Sequence, residues 1–167
     1  MIDSAVRQPQ RGESESVAAL TAATLGYVGL LPFYAALGAI WLGEGSSVEA
    51  GWRALIGYAA VILSFVGAVH WGLVLNAAPH LSRLVRPAML WGSLPALIAA
   101  ATLLLQLRGG AAMLLLAAGF SGQFVADRRA ERAGLCPGWY LSLRGRLTVA
   151  VLLALVLGLL AAPPAGS

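Results

Sequence analysis

Residues 54–76 read ALIGYAAVILSFVGAVHWGLVLN, a run without Asp, Glu, Lys or Arg. A helix of roughly 20 apolar residues is long enough to cross the hydrocarbon core of a bilayer. In hydrocarbon every backbone N–H and C=O must find its partner inside the protein, which leaves helices and closed barrels. The run shows no strict alternation, so it predicts a helix. Four more stretches have the same character, at about residues 17–42, 87–107, 111–127 and 147–162.

Together these runs predict an all-α fold, a polytopic integral membrane protein built as a bundle of five transmembrane helices. Residues 1–17 are polar and of mixed charge and read as a disordered tail; residues 18–162 form the membrane domain and 163–167 a short second tail. The connection Arg-Gly-Gly at 108–110 is so short that the third and fourth segments should form a tight antiparallel hairpin. Only 11% of the residues are charged and 59% are hydrophobic. Soluble domains are charged at about 25% of positions, so this chain lacks the polar side chains to cover a water-facing surface.

The net charge of +4 is carried by arginine alone; the chain has no lysine. If each run crosses once, Arg7, Arg11, Arg83, Arg86, Arg128, Arg129, Arg132, Arg144 and Arg146 share the side of the N-terminus. Arg53 and Arg108 stand alone on the other. Cytoplasmic loops carry the excess of basic residues. The expectation is an N-terminus in the cytoplasm and a C-terminus outside, and the Ala, Gly and Arg bias points to a bacterial inner membrane. Arginines placed in loops between apolar runs are a topology signal, so no nucleic-acid partner is expected. Cys136 is the only cysteine, which excludes an intrachain disulfide.

His70 and Trp71 are the residues most in need of explanation. An ionisable side chain within a span is costly and usually faces the bundle interior. His70 could relay protons, touch a ligand or hold a metal or haem; it could equally be a neutral imidazole with one interhelical hydrogen bond. The other histidine, His80, lies in the following loop, so haem ligation by this chain alone is not expected. Beside His70, Gly57, Ala60, Ser64, Gly67 and Trp71 recur at spacings of three and four. They form a stripe of small residues suited to close helix packing. In the fourth segment Gly119, Gln123 and Asp127 share one face. That segment runs in the same direction as the second, so Gln123 should lie near the depth of His70. Asp127 could join them, or simply mark the membrane exit and pair with an arginine.

The connection DRRAERAGLCPGWYLSLRGR, residues 127–146, is dense in features. Its first part should continue the fourth helix. Gly134 followed by Leu135 and Pro137 reads as a helix C-terminus with glycine at C′. Trp139 and Tyr140 suit the membrane interface. Arg144 could meet lipid phosphate or Asp127. Two segments also share Gly-x-Leu-Pro, at Gly29 and Gly92, which raises a repeated pair of hairpins or ordinary use of proline in membrane helices.

The runs GAVHWGLVL, SGQFVADRRAERAGLCPGWYLSLR and LTVAVLLALVLGLL resemble a family of small bacterial membrane proteins of unknown function. That family also includes the mitochondrial transmembrane protein sixty-nine. The resemblance covers about residues 24–160 and implies a multi-helix integral membrane protein, with no reaction, substrate or cofactor attached. The sequence carries no HExxH, P-loop, dinucleotide fingerprint or CxxC, and no cofactor or metal is expected. Two functions follow. One is a non-enzymatic accessory or assembly protein that packs, in the bilayer, with a membrane-protein partner or a second copy through the stripe at Gly57, Ser64 and Gly67. The alternative is a binder or carrier of a small ligand, or of protons, through His70, Trp71, Gln123 and Asp127. A loop site at Trp139, Tyr140 and Arg144 is a further candidate.

Overall fold

The computed structural model describes residues 7–75, 81–107 and 109–161. Asn76, His80 and Arg108 therefore lie outside the described residues, as do 1–6 and 162–167 with the second tail. Among the described residues there are six helices and no strand: α1 Arg7–Val28, α2 Leu31–Leu42, α3 Ser46–Leu75, α4 Ser82–Leu104, α5 Gly109–Arg132 and α6 Gly138–Leu160. α1 and α2 together make one span, so five helical stretches are long and apolar enough to cross a membrane.

The break within the first span comes from Pro32. Proline has no N–H to give the carbonyl four residues back, and the helix restarts at Leu31. The break leaves the Gly29 carbonyl exposed, and the Tyr58 hydroxyl of α3 donates to it at 2.9 Å. The Tyr58 ring then stacks edge-on against Phe33, centroids 4.9 Å apart. Pro95 has a different fate: it stays inside a continuous α4 and is buried.

Several boundaries differ from those that hydropathy suggests. α1 begins at Arg7, ahead of the expected start at residue 17, and so takes in part of the stretch that composition reads as a tail. α3 begins at Ser46 rather than 54 and carries an exposed Arg53–Glu49 ion pair at 2.8 Å on its first turns. α5 runs on to Arg132, and α6 starts at Gly138, nine residues before the expected 147. Hydropathy marks the length of hydrocarbon, whereas a nucleated helix propagates cheaply into the interface. In α6 the early turns were hidden by two arginines, of which Arg144 turns inward.

α3 is the hub. Leu55, Ala59, Ala60 and Leu63 on its inner face are fully enclosed, against Phe33 and Leu37 of α2, Leu116 and Phe120 of α5, and Leu155 of α6. α4 lies against the other end of α3 through two glycines. A Cβ on Gly67 would stand 2.7 Å from the Gly92 carbonyl oxygen, and one on Gly92 would stand 2.9 Å from the Gly67 carbonyl oxygen. Trp71 clips the same pair of helices, its indole N–H donating to the Met89 carbonyl at 2.9 Å. α1 lies at the edge, where Leu147 of α6 meets Gly26. The α5–α6 corner is a Schellman turn: Gly134 has φ +73°, its N–H reaches the Glu131 carbonyl, and the Leu135 N–H reaches the Ala130 carbonyl. This corner brings the start of α6 back against the end of α5, at the arginine-rich end of the bundle.

Candidate functional site, a buried charged centre

Three helices converge on Asp127. Its residue is 0% exposed, with Gln123 at 1% and His70 at 3%. Gln123 sits one turn before Asp127 on α5, and its amide nitrogen donates to Asp127 Oδ1 at 3.3 Å. The same nitrogen is 2.8 Å from His70 Nδ1 on α3. Arg144, in the second turn of α6, donates from Nε to Asp127 Oδ2 at 3.0 Å. His70 Nε2 is 3.8 Å from Asp127 Oδ1, beyond hydrogen-bond reach.

The direction of these bonds sets the imidazole's state. An amide nitrogen can only donate, so Nδ1 holds the lone pair and the hydrogen sits on Nε2. That Nε2 has no partner, and neither does Gln123 Oε1. If Nδ1 were protonated, the Gln123 amide could turn over and present Oε1 as an acceptor. Nε2–H would then face a carboxylate a few tenths of an ångström from bonding distance. That rotation would take the Gln123 donor away from Asp127 Oδ1, so protonation of His70 exchanges the carboxylate's amide donor for the imidazole Nε2–H. Arg144 also keeps a buried, unpartnered Nη2.

The structure brings together three of the four expected intramembrane residues. His70, Gln123 and Asp127 meet, while Trp71 turns away, since neighbouring residues on a helix point about 100° apart. The residue is 44% exposed and its indole serves the α3–α4 contact. Asp127 is paired with an arginine as the simpler expectation had it, yet it is wholly buried rather than placed at an exit. Arg144, expected in a loop, is helical and belongs to this centre. Trp139 and Tyr140 are half-buried neighbours with rings 6.2 Å apart, and neither the Trp139 Nε1 nor the Tyr140 hydroxyl has a partner. Of the packing stripe, Gly67 is pressed against Gly92, the Ser64 hydroxyl returns to its own helix at the Ala60 carbonyl, and Gly57 faces open space.

Sequence reasoning passed over the groove beside the centre. Leu84, Ala88 and Trp91 of α4 face Ala126 and Arg129 of α5, and Ala133 just past its end, across a partly open cavity of about 240 Å³, with His70 in its wall. The signal lay in the spacing, since each trio falls on one helix face, but a groove between helices needs their relative placement. Cys136, in the connection before α6, has its thiol pushed above the ordinary range by burial, helped by the charges of Asp127 and Glu131. Among the described residues no group of three or more His, Cys, Asp and Glu is placed to hold a metal ion.

The fold and this centre define a class: a multi-pass, all-helical membrane protein with a buried charged cluster at the arginine-rich end of its bundle. The chain belongs to the family described as Protein of unknown function (DUF3429), whose model matches residues 18–160. No curated protein matches the chain, and no solved structure does.

Proposed function

We propose that the protein is a non-enzymatic binder or carrier of a small ligand, or of protons, that acts through His70, Gln123, Asp127 and Arg144. The observation that carries this reading is the set of enclosed atoms without partners: His70 Nε2, Gln123 Oε1 and Arg144 Nη2. Away from water an unsatisfied polar group costs several kcal/mol. A bound molecule or a moving proton that completes these valences gives such a cluster a use.

The excess of arginine on one side supports a cytoplasmic N-terminus, an external C-terminus and a centre near the cytoplasmic face of a bacterial inner membrane. The motifs around His70 and from Gln123 to Arg144 support kinship with the mitochondrial transmembrane protein sixty-nine. An accessory or assembly role through a second copy or another membrane protein is the second reading. Gly67, the tightest member of the stripe behind it, is used inside the chain, and Gly57 is the member with free space above it.

Native mass spectrometry of protein released from nanodiscs tests the choice, with wild type beside His70→Ala and Gly57→Leu. A discrete non-lipid adduct on wild type, lost from a folded His70→Ala, is the expected result for a ligand site. A complex that Gly57→Leu disperses and His70→Ala leaves intact would overturn it in favour of the packing role.

A further inference from the structure

We infer that the groove between α4 and α5 takes a single-chain fatty carboxylate, with its acid group held by Arg129 and His70. This rests on the reading that the His70 centre binds a ligand, and it names the ligand's class. The cavity of about 240 Å³ exceeds the ~150 Å³ of an engineered cavity that takes up benzene. It falls short of the ~300 Å³ at which pockets for larger ligands begin. It therefore encloses the acid head and upper carbons of one slim chain, with the rest of the tail outside it, and is small for a glycerol phosphate headgroup that carries two chains.

The walls decide the rest. Leu84, Ala88, Ala126 and Ala133 are apolar and ask for a hydrocarbon body. The polar groups on the wall are donors. Arg129 is exposed, and its guanidinium makes no ion pair or hydrogen bond among the described residues, while its backbone carbonyl accepts from the Ala133 N–H. His70 contributes to the wall with its Nε2–H unpartnered, and Trp91 on the same wall has an unpartnered, buried indole N–H. The nearby carboxylate, Asp127, is already committed to Arg144 and Gln123 and is not part of the wall. A ligand whose polar end accepts hydrogen bonds and carries negative charge complements this set, and a bidentate arginine–carboxylate pair is the strongest form of that contact. Arg83, Arg86, Arg128 and Arg132 flank the same end of α4 and α5 and add to the attraction for an anion. A fatty acid lying with its head at this level would run its tail along the helices into hydrocarbon.

The test uses the full chain in nanodiscs, a palmitic acid with a mid-chain diazirine as probe, and peptide mapping of the photoadducts. The matched fatty alcohol and a diazirine phosphatidylglycerol are run alongside. Saturable labelling by the acid on peptides from the first half of α4 and the last half of α5 is expected. Arg129→Gln, an exposed position that does not endanger the fold, should weaken half-saturation about tenfold, as loss of one charge-assisted hydrogen bond does. Arg129→Lys should restore part of it, and Ala88→Leu should fill the groove and abolish labelling. Equal labelling by the alcohol, indifference to Arg129→Gln, or preferred labelling by phosphatidylglycerol would each overturn the inference. A His70-dependent adduct in native mass spectra without acid labelling of the groove would sink the fatty-acid assignment and leave the proposed function standing. Absence of both would remove the two together.

Discussion

Removing Arg144 should damage this protein far more than removing its partner. In Arg144→Met, Asp127 remains fully enclosed with one neutral donor, Gln123, at 3.3 Å. Opposite unit charges about 3 Å apart attract by roughly 5–6 kcal/mol at an effective dielectric near 20, before desolvation is counted. Stripping one partner from a buried pair has a net cost of ~3–5 kcal/mol, because the remaining charge has nowhere to go. Asp127→Asn is different. Arg144 sits in the second turn of α6 with its side chain 12% exposed, so it can swing its guanidinium to the interface along its apolar stem. That variant should lose only ~1–2 kcal/mol. The double variant Asp127→Asn, Arg144→Met buries no net charge and should recover most of the single loss. Thermal unfolding in nanodiscs, followed through tryptophan fluorescence, reads the series. A domain of this size loses ~2–4 °C per kcal/mol, so Arg144→Met should melt roughly 10 °C early. If it melts within about 2 °C of wild type, or if the double variant is as unstable as Arg144→Met, the ion pair is not what holds α6 to α5 and the reasoning fails.

Other outcomes can be checked with the same preparation. Gly67→Ala drives a methyl group against the Gly92 carbonyl and Pro95 and should cost ~1–3 kcal/mol, whereas Gly57→Ala meets open space and should be silent in the same melt. Gln106 holds φ +50° at the end of α4, so Gln106→Gly should raise stability by up to ~1 kcal/mol; a lower melting temperature would refute the strain. Because its thiol is pushed up, Cys136 is protonated well past neutral pH and should alkylate more slowly at pH 8 than a free peptide thiol. Glu131→Gln removes one of the negative charges responsible and should speed the reaction; unchanged rates in the two proteins would count against that cause.

Much of the candidate site was visible in one dimension. Gln123 and Asp127 are one turn apart and both polar in an apolar run, and His70 falls at a matching depth on a helix of the same direction. Those are consequences of helical periodicity and bilayer thickness, which need no knowledge of neighbours. Trp71 shows the limit: its position beside His70 in sequence places it on another face. The sequence left Arg144 in a connection, open to lipid phosphate or to Asp127, since an arginine lowers hydropathy whether it points at water or at a buried carboxylate.

The amino-acid sequence by itself determined that this chain carries five helical stretches long and apolar enough to cross a membrane, because runs of that length without alternation satisfy their backbone in hydrocarbon only as helices. It also determined where α5 turns, since only glycine takes the left-handed position at Gly134 without strain. Tertiary structure alone decided which of Asp127's prospective partners it would meet, which glycine would be spent on α4, and that a groove would open beside His70. Those outcomes depend on the rotation of each helix about its own axis. That rotation is set by close packing of all the helices at once, which no single run encodes.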